Sequence, residues 1–346
     1  MKKLTLFSFV LIFLLLFTAC TVNDNASIDQ SPVQELPTLS PSDTTEQSDN
    51  GRDEVRHSNQ PEESETEYNH IFSLIWMTDT QYYSDRYPEI FLSMSRWIVE
   101  SKSQDNIQYV LHTGDVVNNC REAQHWENAT EATKIIMEEL PLYVIAGNHD
   151  IGRSSPSYDE YAKRYGPEVF QELPSLGGFY DGGMGRYDLF EYGAHRFIIA
   201  GLGYMHTQEA IDWLNSILGE HSDRIAILCF HKYLDLNGSL TDSGERLFND
   251  VIKNNQNVQL VLSGHRHGSA RRTTELEDGG DGITNRRIVQ AILGNYQAYE
   301  KGGSGYLRII KFDTLSNTVS VTAYSPYLDS FRMDDQETFS FSFSFN

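Results

Sequence analysis

Five apolar, β-type runs in this chain each end in a short cluster of polar, metal-ligating residue types, and that recurrence constrains the fold more than any other feature. Ile71–Met77 runs into Thr78-Asp79, and residues 107–111 run into His112-Thr113-Gly114-Asp115. Residues 142–146 end in Gly147-Asn148-His149-Asp150, residues 224–230 in His231, and residues 258–262 in Ser263-Gly264-His265-Arg266-His267. Amphipathic stretches with helical periodicity, residues 88–102 and 122–139, lie between the first three runs. Strand, polar cluster, helix is the rhythm of an α/β fold, in which loops at the carboxyl ends of strands converge on one rim.

The last third reads differently. Residues 287–293, 306–312 and 318–324 have strand character, and residues 338–346 alternate Phe339, Phe341, Phe343 and Phe345 with Ser340, Ser342 and Ser344. Four rings on one face of a period-2 segment are core packing, not a binding stripe. Mixed strands with helices outside predict two packed sheets flanked by helices; no internal repeat is visible.

Charge and the N-terminal residues narrow the setting. Of 346 residues, 49 are Asp or Glu against 27 Lys or Arg, a net charge of −22 that argues against a general nucleic-acid binder. Three cysteines make no disulfide scaffold. Lys2 and Lys3 precede an apolar stretch, residues 4–17, that breaks at Thr18-Ala19-Cys20, as a secretory signal does. Phe17-Thr18-Ala19-Cys20 resembles the lipobox of bacterial lipoproteins, which implies acylation of Cys20 and anchoring at the outer face of the membrane. Residues 21–70 hold twelve acidic residues and two arginines, with few apolar ones, and are expected to form a disordered tether. The expected division is therefore a signal over 1–20, a linker over 21–70 and one catalytic domain over 71–346.

As ligands, Asp79, Asp115, Asn148, His231, His265 and His267 offer two carboxylates, one amide oxygen and three imidazoles. That mixture suits a pair of divalent transition metals, Mn, Fe, Ni or Zn, better than Ca or Mg. His265 and His267 would point apart on a strand; in a turn after Gly264 each can reach a different metal.

In this order, Asp79, Gly114-Asp115, Gly147-Asn148-His149-Asp150, His231 and Gly264-His265-Arg266-His267 resemble the motif set of the calcineurin-like metallophosphoesterases, over residues 71 to about 330. The resemblance implies a four-layer α/β/β/α sandwich with a dinuclear centre. By motif, Asp79, Asp115 and His267 hold one metal, and Asp115, Asn148, His231 and His265 hold the other, with Asp115 bridging. His149 binds no metal; it protonates the leaving oxygen or stabilises charge there. The implied reaction is hydrolysis of a small phosphomonoester, phosphodiester or pyrophosphate by in-line attack of a hydroxide bridging the metals.

Two departures from the family pattern stand out. The first motif is usually Asp-x-His, but here it is Asp79-Thr80-Gln81, as it resembles in members acting on ADP-ribose-like pyrophosphates. Gln81 joins the expected ligands, and its harder oxygen favours Mn, with Fe, Zn or Ni as further candidates. Several relatives place an Asp where this chain has Asn118, so Asp150 or another carboxylate orients His149, or the imidazole is less basic than usual. These departures leave a second class open: a surface lipoprotein that binds phosphorylated ligands or metal without turnover. Tyr82, Tyr83, Asn118 and Arg153 are candidates to line the cleft. Gly294-Asn295-Tyr296-Gln297 with Gly302-Gly303-Ser304-Gly305 resembles a segment of exported relatives and reads as a tight loop near the rim. Cys120 and Cys229 read as packing residues.

Overall fold

The computed structural model describes residues 70–278 and 285–345. The expected signal over 1–20 and the linker, apart from His70, lie outside the described residues. Fourteen strands follow in chain order among those described: β1 (Ile71–Met77), β2 (Ile107–His112), β3 (Leu142–Val144), β4 (Leu176–Tyr180), β5 (Gly185–Tyr192), β6 (His195–Leu202) and β7 (Ile225–Phe230), then β8 (Val258–Ser263), β9 (Gly268–Asp278), β10 (Asn285–Asn295), β11 (Leu307–Asp313), β12 (Thr318–Ser325), β13 (Ser330–Arg332) and β14 (Thr338–Ser342). They form two mixed sheets. One has the order β13-β12-β11-β1-β2-β3, with β14 also on β12; the other runs β4-β5-β6-β7-β8-β10-β9.

β1 shows why the apolar runs are continuous. Phe72, Leu74 and Trp76 enter the core between the sheets, while Ile75 and Met77 turn to the helical side, and all five are buried. Strands covered on both faces favour apolar residues on both of them, and here only Ser73 interrupts the buried run. The helical layer on this sheet is built by α1 (Gln81–Arg86), α2 (Pro88–Glu100) and α3 (Ala123–Met137). α2 opens with Pro88 in its first turn and buries Ile90, Phe91, Met94 and Ile98; α3 buries Trp126, Ala129, Ala132 and Ile136. On the other sheet the helix Gln208–Glu220 starts where Thr207 Oγ1 accepts the Ala210 N–H at 3.2 Å, and it buries Ala210, Ile211, Leu214 and Leu218. The result is an α/β/β/α sandwich with one core between the sheets and one beneath each helical layer. Among the described residues no helix is long and apolar enough to cross a membrane.

The registers align the ends of the ligand-bearing strands. Met77 pairs with His112 and His112 with Val144; Phe230 pairs with Ser263. The third run is strand only to Val144, although Ile145 N still donates to His112 O at 3.1 Å. α1 was not expected, since Gln-Tyr-Tyr-Ser-Asp-Arg carries no apolar period. At the C-terminus the alternation serves the inter-sheet core: Phe343 and Phe345 are buried there, with Phe339 and Phe341 partly buried against it.

Candidate metal centre

The first, second and fifth polar clusters each place a ligand-type residue at positive φ just past a strand: Asp79 at 53°, Asp115 at 56° and His265 at 70°. Non-glycine residues seldom hold that conformation, and here it turns the side chains together at the rim. Neighbouring glycines leave room for them. A Cβ on Gly264 would stand 2.1 Å from Asp79 Oδ2, and one on Gly147 would stand 2.2 Å from Asp115 Oδ1. Backbone donors complete the cradle: His149 N donates to Asp115 Oδ1 (2.8 Å), and His265 N donates to Asp79 Oδ2 (3.0 Å), which also accepts from Thr78 Oγ1 (2.6 Å).

At the centre sits His231 Nε2, with Asn148 Oδ1 at 3.1 Å, His265 Nδ1 at 3.2 Å and Asp115 Oδ2 at 3.4 Å. His231 Nδ1 lies 2.9 Å from the Thr113 carbonyl, which takes its proton. Nε2 thus faces three further electron-pair donors. Burial works against a second proton, but the Asp115 charge outweighs it and raises His231 to about 9. His265 moves the other way, to about 3, through burial and the charge of His231, and so is a neutral donor. Asp79 is pushed up to about 7 by burial, reinforced by Asp115 and opposed by His231. Carboxylate, amide oxygen and two imidazoles converge here, and a divalent transition metal displacing the second His231 proton would meet a donor set that fits it. Asp115, His231 and His265 each bring a ligand atom within 4.8 Å of the others.

Gln81 is buried beside this cluster. Its NH2 is satisfied when it donates to the carbonyls of Asp79 (2.7 Å) and Asp115 (3.2 Å), which turns its oxygen toward the Asp115 carboxylate and the side chain of Gln297. Gln297, distant in sequence, thus belongs to the site; the Gly294–Gln297 segment had marked only a loop near the rim. His267 is exposed and stands apart from the Asp115–His231–His265 group. His112, buried with Nε2 2.9 Å from Thr80 Oγ1 and Nδ1 accepting from Gly114 N, joins the first two clusters and had no assigned role.

His149 is oriented by neither carboxylate route. Its Nδ1 lies 2.7 Å from the backbone oxygen of Asn118. Asp150 instead accepts the N–H groups of Gly147 (2.7 Å) and Val117 (2.9 Å), while the Asn118 side chain donates to Asp85 (2.9 Å). Tyr83 is a core post rather than a cleft residue: it is buried, and its hydroxyl accepts from Gly305 N at 2.9 Å. Cys229 is buried between the sheets and Cys120 packs partly buried; both thiols are free.

A two-sheet α/β sandwich that gathers carboxylate, amide and imidazole donors at one rim defines a class of metal-binding domains. A profile of calcineurin-like phosphoesterases matches residues 72–269, and the chain belongs to that family. A relative in Bacillus subtilis (strain 168), described as "Uncharacterized protein YvnB", is 40% identical over 270 residues, covering 78% of this chain and 21% of the relative. The chain thus spans about a fifth of that relative's length. Among solved structures, a purple acid phosphatase from yellow lupin (Lupinus luteus) aligns at 14% identity over 80% of this chain and 54% of its own, with a TM-score of 0.49. GAP50 of Plasmodium aligns at 12% identity over 80% and 89%, with a TM-score of 0.46.

Proposed function

We propose that this chain is a metal-dependent phosphoesterase acting on small phosphorylated substrates. The observation that carries the reading is the convergence of Asp115, Asn148 and His265 on Nε2 of His231, within a fold of the calcineurin-like family. Asp115, Asn148, His231 and His265 would hold one ion. Asp79, Gln81 and the shared Asp115 would hold a second, with exposed His267 as the remaining donor offered by the same turn as His265. The hard oxygens of two carboxylates and Gln81 favour Mn over Zn. Bound divalent ions supply Lewis-acid polarisation of phosphoryl oxygens and an acidified water for in-line attack.

The chain's own residues do the rest. Thr78 and the His265 N–H fix Asp79, and the His149 N–H fixes Asp115, so neither carboxylate has to reorganise. The Asn118 carbonyl takes the His149 Nδ1 proton and orients the ring, so that Nε2 would face the departing oxygen and give it a proton in the imidazolium form. The N-terminal residues support export and a lipid anchor on Cys20, which would keep the catalytic domain at the outer membrane face on an acidic tether. The test is hydrolysis of an aryl monophosphate and a bis-aryl phosphodiester by the purified protein with Mn²⁺, against a chelated control. Chelator-sensitive turnover is expected; a folded, metal-loaded protein inert on both esters overturns the reading.

A further inference from the structure

His149 has a second partner that the reaction outlined above does not use. Arg153 Nη2 lies 2.8 Å from His149 Nε2. Because Nδ1 gives its proton to the Asn118 carbonyl, Nε2 carries the lone pair and the guanidinium donates to it. Arg86, Arg164, Arg186, Arg224 and Arg308 all pair with acids. Among the described residues no carboxylate pairs with Arg153, in a chain where acids outnumber bases 49 to 27. A guanidinium left to cap a neutral imidazole has an unspent charge beside the site.

Arg153 lies on an exposed segment. Gly152 ends the short turn Asn148–Ile151 at φ 83°, a conformation open to glycine, and residues 153–157 are exposed. His149 itself is tied down at its N–H and at Nδ1. The imidazole is therefore the fixed partner and the arginine the free one. A phosphoryl group offers anionic, fork-shaped acceptors that bind guanidinium far more strongly than a neutral ring nitrogen does.

We propose that Arg153 is a substrate-binding residue that exchanges His149 for the phosphoryl oxygens of a bound phosphate ester, freeing His149 Nε2 as it does so. The proposal rests on the phosphoesterase reading for the identity of the anion. In the free protein Arg153 blocks the imidazole nitrogen; an uncharged ligand would leave it blocked, so the exchange selects anionic phosphoryl compounds.

The test uses the full chain loaded with Mn²⁺ and inorganic phosphate as the probe, by calorimetry and as a competitive inhibitor, with metal content measured in every variant. Arg153→Ala is expected to weaken phosphate binding and raise KM together, about 10- to 100-fold, the loss of a charge-assisted pair, while kcat changes far less. Arg153→Lys should recover part of the affinity. His149→Ala should bind phosphate at least as tightly as wild type, since Arg153 then gives up no bond. Unchanged phosphate binding in Arg153→Ala, or a fall in kcat alone that Lys does not rescue, overturns the proposal and makes Arg153 a prop for the imidazole. If wild type binds phosphate yet hydrolyses no ester, the phosphoesterase reading fails, and the calorimetric comparison still decides the role of Arg153.

Discussion

Nε2 of His231 faces Nδ1 of His265 at 3.2 Å, with the two ring planes 74° apart. The Thr113 carbonyl holds the one ring and the positive φ of His265 the other, so the facing nitrogens are set by backbone rather than by each other. This geometry separates the candidate ligands from His149, which meets Asp115 through its backbone N–H. His265→Ala and Asn148→Ala are therefore expected to lose metal and activity together. His149→Ala should keep its metal while the rate falls ~10²–10⁴-fold, the span of one acid–base group. Elemental analysis beside initial rates checks this; metal loss in His149→Ala would reverse the assignment.

Gln81 and Gln297 set the second prediction. With its NH2 committed to two backbone carbonyls, the Gln81 oxygen is presented to the Asp115 side. Gln81→His replaces a hard oxygen with an imidazole and should shift preference from Mn toward Zn in competitive loading. Gln297→Ala leaves that oxygen without its neighbour and should weaken metal binding about 10- to 100-fold, as loss of an outer partner does. Equal Mn and Zn affinities in wild type and Gln81→His would show that Gln81 stands outside the coordination sphere.

The strand-to-cluster rhythm made most of this centre legible, because strands buried on both faces read as apolar runs and ligands follow where those runs stop. Asp79, Asp115, Asn148, His231 and His265, which the fold brings together, all stand at the ends of such runs. What was not legible depends on the backbone or on distance. Asn118 acts on His149 through its carbonyl, which no side-chain comparison displays. Gln297 meets Gln81 across 216 positions, brought there by β10 and the turn after it. α1 forms from polar residues because Tyr83 is pinned beneath the glycine turn at Gly303 and Gly305, not because its own sequence has a helical period. His267, two residues past His265, lies on the exposed side of the turn that delivers its neighbour.

The anchor prediction comes from the N-terminal residues alone. A cysteine carrying several acyl chains is held by about 0.8 kcal/mol per buried methylene, enough for stable attachment. Cys20→Ala should move the protein from the membrane fraction to the soluble one with hydrolysis intact. Fractionation unchanged by the substitution would remove the lipid from the account.

The last prediction concerns the interior, away from the metal ligands. Arg186 and Asp188 are both buried and paired in two-pronged fashion, Nε to Oδ1 at 2.8 Å and Nη2 to Oδ2 at 2.6 Å, with the guanidinium 3.8 Å over the Phe170 ring. Burial raises the Asp188 carboxyl, and Arg186 opposes that shift. Arg186→Met removes the only cation paired with that carboxylate among the described residues, leaving the Tyr109 hydroxyl as its remaining hydrogen-bond donor. The expected cost is about 3–5 kcal/mol in urea unfolding, the usual result of stranding one buried charge. Arg186→Met combined with Asp188→Leu should regain most of that stability, because an apolar pair leaves no charge uncompensated and Tyr109 keeps Ser175 as a partner at 2.7 Å. If the double variant is as unstable as Arg186→Met, the cost lies in lost ring packing on Phe170 and not in the stranded carboxylate.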